Sequence, residues 1–331
     1  MSREVNIKLG LDGAFATRRW EKPESVLRLV SDLGFDVHEF CCDQIDPFFM
    51  GPKEFLLSLA ARARTAAAEL GIEIFSTYTG MSTHRYHSFS HSLPEPRERM
   101  KLWLTEMMDL TLALGAYRWG GHVDALSVEL MADPELTRRT IARLYASWRE
   151  LAVIAKEKGM KAISVEQMYT PSEVPWTLRQ TEEMLIAINA ERDGVPVYVT
   201  LDVGHQAGQE YGMSGPDLDY LEWTRQFAAF SEIIHLQQTT PEHSAHWGFT
   251  AEYNQKGKVE MDKMMAAIHY GHEHWESSPV AAALEPVTEQ RLILEVIPAS
   301  TKSEDNLLRE LAESAEYLRQ FVPVEGIRLT V

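Results

Sequence analysis

Strand-like and helix-like segments alternate from one end of this chain to the other, and eight rounds of that alternation leave few folds open. The strand-like runs are Val5–Leu11, Val37–Cys41, Ile72–Tyr78, Tyr117–Gly121, Lys161–Glu166, Pro196–Asp202, Ile233–Leu236 and Arg291–Val296. They are short and continuously apolar, the pattern of parallel strands covered on both faces. Helix-like stretches follow each of them, at Pro23–Leu33, Pro52–Leu70, Pro94–Leu114, Pro134–Lys158, Thr177–Ala190, Asp217–Phe230, Val259–Tyr270 and Glu304–Phe321. Gly34, Gly71, Gly115 and Gly159 stand where the first four would stop. Eight such units in 331 residues are expected to close into an α/β fold, a single (β/α)8 TIM barrel. A doubly wound open sheet is the alternative, but no Gly-x-Gly-x-x-Gly turn follows the first strand. No composition shift or Ser/Gly linker divides the chain, so residues 1–331 are expected to form one barrel domain.

Bulk properties exclude several classes of function. The net charge of −17 argues against a nucleic-acid or anionic-membrane partner, because binding phosphates over a large area needs a basic face. The two cysteines, Cys41 and Cys42, are adjacent and do not suggest an ordinary structural disulfide, so a reduced, cytoplasmic protein is expected. The N-terminus lacks a signal-peptide layout, and no apolar run approaches the roughly 20 residues of a membrane span. The composition leaves room for a homo-oligomer formed through exposed apolar helix faces. Three stretches read as poorly structured: Met81–Leu93, Gln238–Lys258 and Gly271–Gln290. The first two follow strands three and seven, on the face where a barrel keeps its active site.

Strands five to eight each carry one metal-type ligand at or near the C-terminal end: Glu166, Asp202, His235 and Glu295. Consecutive strand ends form one arc of a barrel rim, so these four side chains are expected to converge. Each alone is an ordinary rim residue or helix cap; the joint pattern points to a site for a hard or borderline divalent cation. Burying three carboxylates without one would be costly.

The segments Ser-Val-Glu166-Gln, Leu-Asp202-Val-Gly-His205, Ile-His235-Leu-Gln and Leu-Glu295-Val resemble the xylose-isomerase-like sugar and sugar-phosphate isomerases and epimerases, over nearly the whole chain in strand order. The resemblance implies that Glu166, Asp202, His235 and Glu295 bind one divalent ion (Mn2+, Mg2+ or Co2+). It implies that Glu166 and Glu295 also act as acid and base, and that His205 contacts substrate oxygens. The expected activity is epimerisation or aldose–ketose isomerisation of a small ketose or ketose phosphate, such as a tetrulose phosphate, by proton transfer through a metal-bound enediolate. Such chemistry needs a Lewis acid on the substrate oxygens and a positioned carboxylate for the C–H proton. A decarboxylase of a 3-oxo sugar acid would use the same metal site. A DNA-repair endonuclease would need a basic groove, and a non-catalytic sugar-binding protein would have no use for both glutamates.

The seventh loop departs from the keto-hexose epimerases, in which an arginine shortly follows the metal histidine. Here the run is His235-Leu-Gln-Gln-Thr-Thr-Pro-Glu-His243-Ser-Ala-His246-Trp, without arginine, which favours a short substrate. Gln237, two residues after His235, is expected to face the pocket. His246 and Trp247 are candidates for a substrate wall, and His122, after Gly120 and Gly121, for the opening of strand four. Glu39, Tyr78 and Thr79 are weaker candidates for the rim, and His84, His87 and His91 lie in a long loop that could act as a lid. The run Ala299–Ser303 before the last helix fits either a phosphate site or plain capping by a Thr301/Glu304 box.

Overall fold

The computed structural model describes residues 3–81, 83–191 and 193–331. Eight parallel strands pair in chain order and close on themselves: β1 (Glu4–Asp12), β2 (Val37–Cys41), β3 (Glu73–Tyr78), β4 (Arg118–Gly121), β5 (Ala162–Glu166), β6 (Val197–Asp202), β7 (Ile233–Leu236) and, after a hairpin, β10 (Glu289–Leu294). Closure runs through β1 and β10, paired from Asn6↔Glu289 to Leu11↔Leu294. β2, β5 and β6 are buried along their whole length, polar residues such as His38, Glu39, Glu166 and Asp202 included.

Helices cover the barrel: α1 (Pro23–Asp32), α2 (Lys53–Leu70), α3 (Pro94–Ala113), α4 (Val128–Met131), α5 (Pro134–Lys158), α6 (Leu178–Asn189), α7 (Tyr220–Phe227), α8 (Ala251–Lys256), α9 (Met261–Glu273) and α10 (Glu304–Leu318). Their stops are chemical. Gly71 and Gly159 end α2 and α5 in the left-handed conformation, and Asp133 caps the amides of Glu135 and Leu136 at the start of α5. The main core lies between strands and helices. A smaller plug of Val37, Phe75, Ile233 and Ile293 fills the barrel interior. Below it, the guanidinium groups of Arg118 and Arg291 lie 4.2 and 4.3 Å from the Phe75 ring. Arg118 pairs with Glu232 and Glu289, and Arg291 with Glu73. These pairs seal the N-terminal end of the barrel and leave the C-terminal end for chemistry.

Some elements differ from the sequence expectation. The stretch 238–258 holds the hairpin β8 (Gln238–Thr240) and β9 (His243–Trp247) as well as α8. The helix expected over 217–230 is a short α7 flanked by 3-10 turns, because Pro216 and the Asp219 cap start it late. A last strand, β11 (Ile327–Thr330), pairs antiparallel with Glu4–Ile7 of β1, along the part of β1 that β2 does not reach. α10 is capped by Ser303, which accepts from the Asn306 amide, so the Thr301/Glu304 box does not form. Among the described residues no helix is long and apolar enough to cross a membrane.

Candidate metal centre and substrate cavity

Strand direction does most of the assembly. β5 ends at Glu166, β6 at Asp202, β7 carries His235, and Glu295 follows β10 by one residue. Their ligand atoms all lie within 4.8 Å of one another, and all four residues are buried. His235 is central: its Nδ1 lies 3.4 Å from Glu166 Oε1 and 3.2 Å from Glu295 Oε2, while its Nε2 donates to Glu39 Oε2 at 2.7 Å. Glu39 stands in the middle of β2 and is itself fixed by the Ser76 hydroxyl, 2.6 Å from Oε1. A carboxylate behind a histidine selects which ring nitrogen faces the site.

The charges do not balance among these groups alone. Burial opposes charge on His235, but Glu295 and Glu39 hold its imidazolium well above the usual histidine range. Burial likewise opposes charge on Glu295 and Glu166, yet His235 and the neighbouring histidines hold both below the usual carboxylate range. Asp12, at the end of β1, and Asp202 are pushed up, first by burial and then by nearby carboxylates. His235 Nδ1 and Glu295 Oε2 are buried without a hydrogen-bond partner. An oxygen-rich gap with one imidazole nitrogen and unpartnered donor atoms fits a divalent cation of the Mn2+ or Mg2+ kind. A proton on His235 would compete with that ion.

Glu166 and Glu295 of the cluster line a cavity of about 940 Å³, open to solvent at the C-terminal end of the barrel, with Asp202 and His235 buried behind them. Its wall includes Asp12, Tyr78, His84, Glu166, Tyr169, Glu173, His205, His246 and Glu295. His205 Nδ1 donates to the Gln167 carbonyl at 2.8 Å, which leaves Nε2 free toward Asp202, 3.7 Å away. His246 stands on β9 with φ +48°, and its Nε2 is 3.5 Å from Glu295. Burial lowers its basicity, but Glu295 and Asp202 outweigh that and push it up to about 9. Tyr78 points its hydroxyl among Glu166, Glu39 and Glu295; burial, then those charges, push the phenol well up.

Three expected wall residues stand elsewhere. Gln237 is fully buried behind Asp202: its amide nitrogen donates to both Asp202 oxygens (2.8 and 3.0 Å) and its oxygen accepts from the His246 amide at 2.6 Å. It lies beyond the last residue of β7, so the alternation that placed it beside His235 no longer applies. His122 is buried behind His84, ring centroids 5.3 Å apart, with Nε2 turned back to the Asp124 carbonyl; His84 and Glu173 face the cavity instead. Trp247 stacks on Tyr253 rather than lining the wall. Glu173, paired with His84 at 3.4 Å, is held down at about 2, burial notwithstanding. Asp12, which lines the cavity at the end of β1, carries the same sequence signal as the four clustered residues, an apolar strand ending in an acid.

The model of the xylose isomerase-like TIM barrel family matches residues 27–321. D-Erythrulose 1-phosphate 3-epimerase of Brucella abortus (strain 2308) is 24% identical over 206 residues, which are 62% of this chain and 66% of that protein. The chain thus spans slightly under two thirds of that relative's length. A provisionally assigned xylose isomerase from Rhodospirillum rubrum ATCC 11170 superposes with a TM-score of 0.80 at 23% identity, covering 95% of this chain and 99% of that one. D-Psicose 3-epimerase of Clostridium cellulolyticum H10, solved with D-tagatose, superposes at 0.66 with 15% identity, covering 95% and 98%. At these identities the superpositions speak to the fold.

Proposed function

The chain belongs to the xylose isomerase-like TIM barrel family, and on that premise we propose that it is a divalent-metal-dependent epimerase of a small ketose or ketose phosphate, of about tetrulose size. One observation carries this reading. Glu166 and Glu295 reach the same histidine nitrogen from different strands, at 3.4 and 3.2 Å, so two carboxylates flank one small gap. Inverting a stereocentre next to a carbonyl needs that arrangement: one base takes the proton from one face of a planar intermediate, and one acid returns a proton to the other. The Brucella relative, named as a 3-epimerase, supports the same class of reaction.

An ion held by Glu166, Asp202, His235 and Glu295 would supply the positive charge that acidifies the C–H bond and stabilises an enediolate. The protein does the rest. Glu166 and Glu295 hold and move the proton, a step worth about 10²- to 10⁴-fold. His205, with Nδ1 committed to Gln167, offers Nε2 to a substrate hydroxyl. His246 places a positive charge over Glu295 and Asp202 at the wall. Gln237 orients Asp202 from behind, and the absence of an arginine after His235 favours a short substrate.

The test is solvent exchange. Protein loaded with Mn2+ in D2O is expected to incorporate deuterium at the carbon beside the carbonyl of a C4 ketose or its phosphate, followed by NMR, without loss of CO2. Glu166→Gln and Glu295→Gln are each expected to slow exchange by at least about 10²-fold. Release of CO2 from a 3-oxo sugar acid would favour the lyase reading, and full exchange in both variants would end the proton-transfer assignment.

A further inference from the structure

We propose that the mouth of the cavity carries a phosphate-monoester subsite built on Arg18 and Ser300, so that the substrate is a ketose with a phosphorylated end. This rests on the proton-transfer reading for the other end of the substrate. The cavity is strongly acidic: Asp12, Asp43, Asp46, Glu166, Glu173 and Glu295 all line it. Two arginines are the permanent cations among its lining residues. Arg19 is spent on protein, with one nitrogen on Glu304 Oε1 at 2.5 Å and another on the Ala299 carbonyl at 3.1 Å. Arg18 makes no hydrogen bond, ion pair or ring contact among the described residues, and neither does the Ser300 hydroxyl. They belong to the loops after β1 and β10, which are neighbouring strands, so both open on the same side of the cavity.

The backbone shows that Arg18 is held there. Its φ is +66°, a conformation that a residue with a Cβ adopts only under constraint. The constraint is visible on both sides. The amides of Thr17, Arg19 and Trp20 bond back to Ala14 and Ala16, Trp20 packs against Phe15, and Arg19 is tied across to Glu304. An exposed arginine kept in a strained turn, with no protein partner, has its planar fork free for an oxyanion.

The start of α10 is a poorer seat for that anion. Ser303 already caps it, and Glu304 and Asp305 fill its first turn with negative charge. Arg18 and Ser300 line the same cavity of about 940 Å³ as Glu166 and Glu295, so one bound molecule would meet both the arginine and the carboxylates. A doubly charged phosphate, rather than a carboxylate, suits a fork plus a hydroxyl, and it gives a short sugar an anchor that its few hydroxyls lack.

The experiment compares dihydroxyacetone phosphate with dihydroxyacetone by titration calorimetry on Mn2+-loaded protein. Wild-type protein is expected to bind the phosphate at least tenfold more tightly. Arg18→Gly, which also relieves the strained φ and so keeps the fold, is expected to abolish that preference. Arg18→Lys should restore part of it, and Ser300→Ala should weaken it a few-fold. Equal binding of the two probes by wild type, or an undiminished preference in Arg18→Gly, overturns the subsite. Phosphate-selective binding that depends on Arg18, with no deuterium exchange into any ketose phosphate, would uphold the subsite and sink the epimerase reading. Exchange into unphosphorylated ketoses that ignores Arg18→Gly would do the reverse.

Discussion

Glu39 does not line the cavity, yet it decides how the floor of the cavity presents itself. With His235 Nε2–H donating to Glu39, Nδ1 is the nitrogen left to face Glu166 and Glu295. Such partners of a ligating histidine typically contribute 10- to 100-fold in metal affinity. Glu39→Gln keeps the shape and an acceptor oxygen but removes the charge. It is expected to weaken Mn2+ binding by about tenfold, measured by calorimetry, while the barrel's circular dichroism stays the same. An unchanged affinity would mean that Ser76 and Glu39 merely satisfy a buried imidazole. Tyr78 offers a contrast at the same scale. Its hydroxyl is buried among Glu166, Glu39 and Glu295, whose charges push the phenol up after burial does, and it makes no bond that orients His235.

At the scale of elements, the turn after β6 is the most constrained piece of the site. Asp202 Oδ1 accepts the Gly204 amide at 2.6 Å, and Gln237 grips the same carboxylate from the other side. A Cβ on Gly204 would fall 2.2 Å from the Gln237 carboxamide carbon, and Gln237 cannot retreat because Ser244 and the His246 amide hold it. Gly204→Ala is therefore expected to destabilise the protein by about 1–3 kcal/mol, read from urea unfolding, and to lower Mn2+ affinity along with it. Normal metal binding in that variant would show that Gln237 is not needed to aim Asp202. This turn also shows what was legible beforehand. Glu166, Asp202, His235 and Glu295 could be found because apolar parallel strands mark their own ends, and a barrel brings those ends together. Gln237 and His122 turn elsewhere because they lie just past the ends of β7 and β4, where side-chain direction follows the loop, and Trp247 ends β9 of the hairpin, where it stacks on Tyr253. The hairpin is hidden from sequence because β8 is a short run of buried polar residues and β9 is mostly half-exposed, with no periodicity to betray a strand. Arg18 carried no local signal, since its importance lies in a φ angle and in the lack of a partner.

At the scale of the whole molecule, the barrel closes at β1, and buried neutral histidines stand on both sides of that seam. His38 on β2 donates from Nδ1 to the Leu11 carbonyl of β1 at 2.8 Å, and its other nitrogen is buried without a partner. His272 on α9 accepts from Arg3 at Nδ1 and donates from Nε2 to Gln290, beside the first pairs of β1 with β10. Burial lowers both to about 4, against an ordinary value of 6.5. The folded protein therefore binds fewer protons than the unfolded chain between those two values, and its stability must rise with pH across that window. The contribution is fully present above about pH 6.5 and is lost as pH falls toward 4, by up to about 3 kcal/mol for each histidine. Urea midpoints measured from pH 7 to pH 4 are expected to fall less steeply for His38→Gln with His272→Gln than for wild type. The difference between the two curves removes the carboxylates that titrate in the same range. If the slopes coincide, the seam does not set the acid limit of this barrel. If they separate, the two histidines beside β1 contribute to the acid limit of the fold, and with it to that of the site, since Asp12 on β1 and Glu295 after β10 stand on the strands they flank.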